Sequence, residues 1–145
     1  MQEIRQFFSW GLLFIKYSEP FSATDLMEAA AAVGVPGRGP GQHRALLVDL
    51  RKVDISDISG SDSRRFIAAR KMRMAGAEAE PVAFVIRSST DFAYIRMHNL
   101  WAEALGLRGE ELTLITPQMD QALNWLETVT NQPGLAKGML RDRSW

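Results

Sequence analysis

The chain has 145 residues, 46% of them apolar and 23% charged, which is the size and balance of one globular domain. Seventeen basic residues against seventeen acidic ones leave no net charge, so no field gathers nucleic acid around the chain and none is expected as a partner. The absence of cysteine and the presence of only two histidines exclude disulfides, thiolate zinc sites and thiol catalysis, and no metal or cofactor is expected.

Ile4–Ser9 and Leu12–Tyr17 are short runs rich in β-branched and aromatic residues, separated by Trp10-Gly11 as in a tight hairpin. Ser22 is placed to cap a first helix, with Asp25 closing a capping box, Phe21 positioned to staple against Leu26, and an alanine-rich run to Val33. The glycine- and proline-dense stretch from Gly34 to Arg44 predicts a loop. It is not a phosphate cradle, because it follows a helix, precedes a strand and lacks the Lys-Ser/Thr pair. Ala45–Leu50 predicts a strand buried on both faces. Arg64–Ala75 predicts a second helix, with Ser59, Ser61 or Asp62 as its cap and Gly76 as its stop.

Pro81–Arg87 predicts another buried strand, and the hydroxyls of 88–90 lead into a long helix over Asp91–Leu105. Its broad apolar face (Ala93, Tyr94, Met97, Leu100, Trp101, Ala104 and Leu105) is expected to pack inward. Leu112–Ile115 is the last strand. Thr116-Pro117 starts a final helix with Met119, Ala122, Leu123, Leu126 and Val129 as its core stripe, ended by Asn131 and Pro133-Gly134. Alternating strands and helices imply an α/β domain over 1–131 with a mixed, mostly parallel sheet of four or five strands, an N-terminal antiparallel hairpin and about four helices. Residues 132–145 form a tail without clear periodicity. No signal-peptide pattern opens the chain and no apolar run approaches the roughly 18 residues of a membrane span. The expectation is a cytoplasmic protein without stable membrane insertion.

The strand Leu46-Leu47-Val48-Asp49-Leu50-Arg51, the strand Val82–Ile86, the segment Ser88–Met97 and the helical Ala122-Leu123-Asn124-Trp125-Leu126 occur in an order that resembles the SpoIIAA-like family over nearly the whole chain. That family shares features with STAS domains and Sec14-type lipid carriers. The resemblance implies a STAS/SpoIIAA-like fold and two themes: phosphorylation of a hydroxyl at a helix start to switch a regulatory protein partner, and an apolar ligand held between helices and sheet. Domain-swapped dimers are known in the family. Asp57-Ile58-Ser59-Gly60 lines up with the phosphoacceptor stretch, with Ile58 in place of the first hydroxyl, so Ser59 is the candidate phosphoacceptor and otherwise a helix cap.

For a ligand site, Asp49 stands at the C-terminal end of a buried strand, where open α/β sheets place their sites. Its ordinary role is to accept local backbone N–H bonds. Phe92, Tyr94, Arg96 and Met97 complete the ligand candidates, near the start of the long helix. Five basic side chains, Arg64, Arg65, Arg70, Lys71 and Arg73, spread around the second helix and predict a solvated surface. His43 and His98 lack a carboxylate at helical spacing, so each is expected to be a hydrogen-bonded structural residue, and no catalytic group is assigned. A non-catalytic module for a small apolar or amphipathic ligand is the leading expectation, with a STAS-type interaction switch as the alternative. Zero net charge and the tail leave room for a homodimer.

Overall fold

A computed structural model describes residues 1–33, 43–74, 79–107 and 109–142. The two opening runs form β1 (Gln2–Phe7) and β2 (Leu12–Ser18), paired antiparallel from Gln2 opposite Tyr17 to Phe7 opposite Leu12. Their connection is longer than a two-residue hairpin turn: a 3-10 turn over Phe8–Trp10 leads to Gly11 at φ 56°, a left-handed conformation that glycine adopts without steric cost. Helix α1 (Ala23–Ala32) begins with the expected capping box, in which the Ser22 N–H donates to Asp25 Oδ2 at 2.9 Å. The stretch 34–42, weighed above as a phosphate cradle, and Gly76 both lie outside the described residues.

Next come β3 (Ala45–Lys52), α2 (Gly60–Arg73), β4 (Val82–Val85), α3 (Ser89–Ala104), β5 (Thr113–Thr116), α4 (Met119–Val129) and α5 (Leu135–Arg141). Helix α2 starts at Gly60 rather than Arg64, because Ser59 takes the cap position and its hydroxyl accepts the Asp62 N–H at 3.0 Å. Helix α4 starts two residues later than expected, with Gln118 at its cap. Thr116 still serves the turn, since its Oγ1 accepts the Gln118 N–H at 3.1 Å and donates to Gln121 Oε1 at 2.7 Å. The tail stretch that showed no periodicity contains α5, seated on α4 through Leu135, Ala136 and Met139.

The five strands lie in sequence order, β2 to β5 parallel and β1 antiparallel on the edge. Each parallel crossover steps the same way across the sheet, and right-handed connections therefore put α1, α2 and α3 on one face. Alternate side chains of a strand point to opposite faces. Leu13, Ile15, Tyr17, Leu46, Val48, Val82 and Phe84 accordingly form one core with α1 and α3. Leu12, Phe14, Ala45, Leu47, Ala83 and Val85 form the other with α4 and α5. The small Ala45 and Ala83 let α4 sit close, and Ala122, Leu123 and Leu126 are fully enclosed there.

Helix α3 departs from its expected orientation. Its buried residues are Asp91, Ile95 and Ala102, while Tyr94, Met97 and Leu100 are 39%, 40% and 51% exposed. The narrower apolar stripe faces the sheet because its polar members find partners there: Asp91 Oδ1 lies 3.5 Å from Arg87 Nη2, and His98 hydrogen-bonds Ser63. Val129 of α4 is likewise exposed.

Candidate functional site

On the α1–α3 side the sheet is incompletely filled. A cavity of about 110 Å³ lies between Ile15, Val48 and Phe84 of the strands and Ala29, Ala30 and Ile95 of the helices. Helix α2 contributes its inner stripe, Ser59, Ser63, Phe66 and Arg70, which recur at helical spacing along one side. Ile67 and Met74 of the same region are buried, whereas Met72 is 82% exposed.

Three polar features interrupt the apolar wall. Ser63 Oγ and His98 Nδ1 are 2.6 Å apart, with the imidazole set between the rings of Phe66 and Phe84 at centroid distances of 5.7 and 6.4 Å. Tyr17 is buried at the end of β2, its ring edge-on to Phe21 at 5.2 Å. Burial pushes the Tyr17 phenol well above its ordinary pKa; the charge of Asp25 adds to this and that of Arg70 opposes it.

Arg70 is the third feature. Expected on a solvated basic helix, it is buried instead, because Glu80 reaches it from just before β4. Arg70 Nη2 donates to Glu80 Oε1 at 3.2 Å and to Met74 Sδ at 3.4 Å. The other carboxylate oxygen of Glu80 lies 2.8 Å from His43 Nε2, a contact by distance that is not aligned as a hydrogen bond. His43 does therefore have a carboxylate neighbour, one supplied from far along the chain. Burial lowers the guanidinium's pKa, and the charge and hydrogen bond of Glu80 hold it up.

The expected site residues divide. Tyr94, Met97 and Ser59 line the cavity. Phe92 and Arg96 line a separate groove beside β5, where Arg96 pairs with Glu110, whose hydrogen bond raises the guanidinium's pKa. Asp49 is buried beneath Arg51 and accepts from its backbone N–H at 3.1 Å, from Nε at 3.0 Å and from Nη2 at 2.9 Å. That is the local backbone role, reinforced by a two-pronged ion pair that raises the Arg51 pKa. Tyr17, Ser63, Arg70 and Glu80 were not singled out for a site, and only the spacing of Ser59, Ser63, Phe66 and Arg70 along α2 carried a signal for them.

Among the described residues no helix is long and apolar enough to cross a membrane, and no group of three or more His, Cys, Asp or Glu side chains is placed to hold a metal ion. Comparison with protein-family models, curated proteins and solved structures finds no match.

Proposed function

We infer that the protein is a non-catalytic binding module that holds a small apolar or amphipathic molecule between the sheet and helices α1 to α3. The cavity carries this reading. Interiors normally pack to crystal density, and an unfilled apolar space forfeits dispersion contacts that a guest can restore. At about 110 Å³ the space suits a molecule of ring size, since an engineered apolar cavity of about 150 Å³ stays dry and takes up benzene. The Ser63–His98 pair and Arg70 add polar groups at discrete places, the mixture that small-molecule sites show.

The test is native mass spectrometry of freshly purified protein, followed by a denaturing spectrum and a methyl NMR titration with benzene. An adduct lost on denaturation, or shifts confined to Ile15, Val48 and Ile95, supports the reading. No adduct and no shift at millimolar benzene sinks it. A STAS-type switch is the second reading, favoured by the exposure of Ser59 at the N-terminus of α2, where backbone N–H groups and the helix dipole favour a phosphate. A Ser59→Asp chain that leaves every partner interaction of the wild type unchanged would remove it.

A further inference from the structure

We propose that Ser63 is an activated nucleophile, with His98 as its base, and takes the acyl group of a ring-sized aryl ester lodged in the cavity. This rests on the reading of the cavity as a binding site, names the substrate class, and adds a covalent step of one acyl group per chain.

A serine inside a helix often turns its hydroxyl back to the carbonyl four residues earlier. Here the Ser59 carbonyl accepts the Ser63 backbone N–H at 3.0 Å, and Ser63 Oγ turns to His98 Nδ1 at 2.6 Å. At that distance an imidazole can act as general base toward a hydroxyl. The rings of Phe66 and Phe84 flank the imidazole at 5.7 and 6.4 Å and fix its place, and Ser63 and His98 both line the cavity. Ser59, one turn before Ser63, and Tyr94, one turn before His98, line it too and are exposed. The pair therefore stands just inside an opening between α2 and α3.

In the tautomer with its proton on Nε2, Nδ1 takes the hydroxyl proton as Ser63 Oγ attacks the ester's carbonyl carbon. The C–O bond to the aryl group then breaks, and the imidazolium returns the proton to the departing phenoxide. Acyl-Ser63 and a free phenol remain, so ester and serine supply every atom. The imidazole is the one acid and base the step uses, and this sets the substrate. A phenoxide leaves readily because its conjugate acid ionises at about pH 10, as tyrosine does, whereas an amide would have to expel a far more basic nitrogen. The volume of about 110 Å³ limits the ester to one ring with a short acyl chain.

The full-length wild type, Ser63→Ala and His98→Gln are each incubated with phenyl acetate or with acetanilide, its amide counterpart, and followed by intact mass and peptide mapping. Glutamine still offers the Ser63 hydroxyl an oxygen, so the bridge can persist while the base is lost; urea midpoints check both folds. Phenyl acetate is expected to place one acetyl group on Ser63 of the wild type, and to do so at least about 100-fold more slowly in His98→Gln, the usual effect of losing a general base. Ser63→Ala is expected to lose that acetyl group. Benzene is expected to slow the wild-type reaction by occupying the cavity, a readout that needs no variant. Acetyl groups only on other residues, an unchanged rate in His98→Gln, or a rate that benzene leaves unaltered overturns the proposal. Acetanilide reacting as fast as the ester overturns the substrate class. Benzene that shifts the cavity methyls while Ser63 stays unmodified overturns this proposal alone; neither shift nor acetyl-Ser63 takes the binding reading with it.

Discussion

Glu80→Gln removes one charge from the interior and almost no volume. In the wild type the side chains of His43, Glu80 and Arg70 are 2%, 4% and 7% exposed, so water screens the group little. Breaking a buried ion pair by removing one partner typically costs 3–5 kcal/mol, because the remaining charge stays desolvated. The amide still offers Arg70 an oxygen, which places the expected loss near the lower end, at about 3 kcal/mol. For a domain of this size that is about 10 °C in melting temperature and a large share of a total stability of about 5–15 kcal/mol. The assay is urea unfolding at pH 7 of the wild type, Glu80→Gln, Arg70→Met and the double variant. Arg70→Met alone strands the carboxylate, whereas the double variant leaves no unpaired charge and is expected to be at least about 2 kcal/mol more stable than the sum of the single losses predicts. A Glu80→Gln loss below about 1 kcal/mol, or strictly additive losses, would show that this pair behaves as an exposed one and refute the reasoning.

Leu123→Ala, in the closed core beneath α4, is expected to cost about 2–5 kcal/mol in urea unfolding, and Leu100→Ala on the exposed side of α3 less than about 0.5 kcal/mol; comparable losses would contradict the orientation given for α3. A Cβ at Gly138 would lie 2.7 Å from Trp10 Cζ2, so Gly138→Ala is expected to displace Trp10 and cost about 1–3 kcal/mol despite better helix propensity, with a shift in tryptophan emission; a stabilised variant with unchanged emission contradicts this. Ser59→Ala removes the bond to the Asp62 N–H and is expected to lower stability by about 1 kcal/mol, while no change in urea midpoint would mean that the cap contributes nothing. Because burial raises the Tyr17 pKa above that of an unfolded tyrosine, which ionises near pH 10, the unfolded chain binds fewer protons above that pH. This contribution is therefore complete below about pH 10 and is lost as pH rises above it, by up to about 1.4 kcal/mol per unit. Tyr17→Phe lacks it, so the stability difference between wild type and variant should move against the wild type between pH 9 and pH 11, and an unchanged difference would count against the buried phenol.

The features legible in the sequence are those whose cause is local. Val82–Val85 reads as a strand because a parallel strand covered on both faces is apolar at every position, and all four residues are buried. The Ser22–Asp25 capping box is readable because both partners lie within one turn. Arg70 could not be placed from the same kind of reading. Next to Lys71 and Arg73 it looks like part of a solvated helix, and only the arrival of Glu80 beside it makes an inward position tolerable. Tyr17 was hidden for the opposite reason. A tyrosine in an apolar strand is ordinary, and what distinguishes it is its place beside the cavity against Phe21, with burial raising its phenol pKa.

Helix α3 shows why counting apolar residues does not identify the face that packs. Its outer stripe, with Ala93, Met97 and Leu100, is wider and more apolar than the inner one, where Asp91 and His98 stand beside Ile95 and Ala102. Facing the outer stripe to the sheet would bury more hydrocarbon, at roughly 25 cal/mol per Å². It would also strip His98 of Ser63 and Asp91 of Arg87, and each broken buried polar contact costs on the order of 1–3 kcal/mol. The inner stripe has a further consequence for the site. His98 and Ser63 line the cavity, with Tyr94 and Met97 at the margin of the outer stripe reaching the same wall. The polar bridge between α2 and α3 thus spans the gap without filling it. The hydrogen bond that joins α2 to α3 is therefore also part of the cavity's wall.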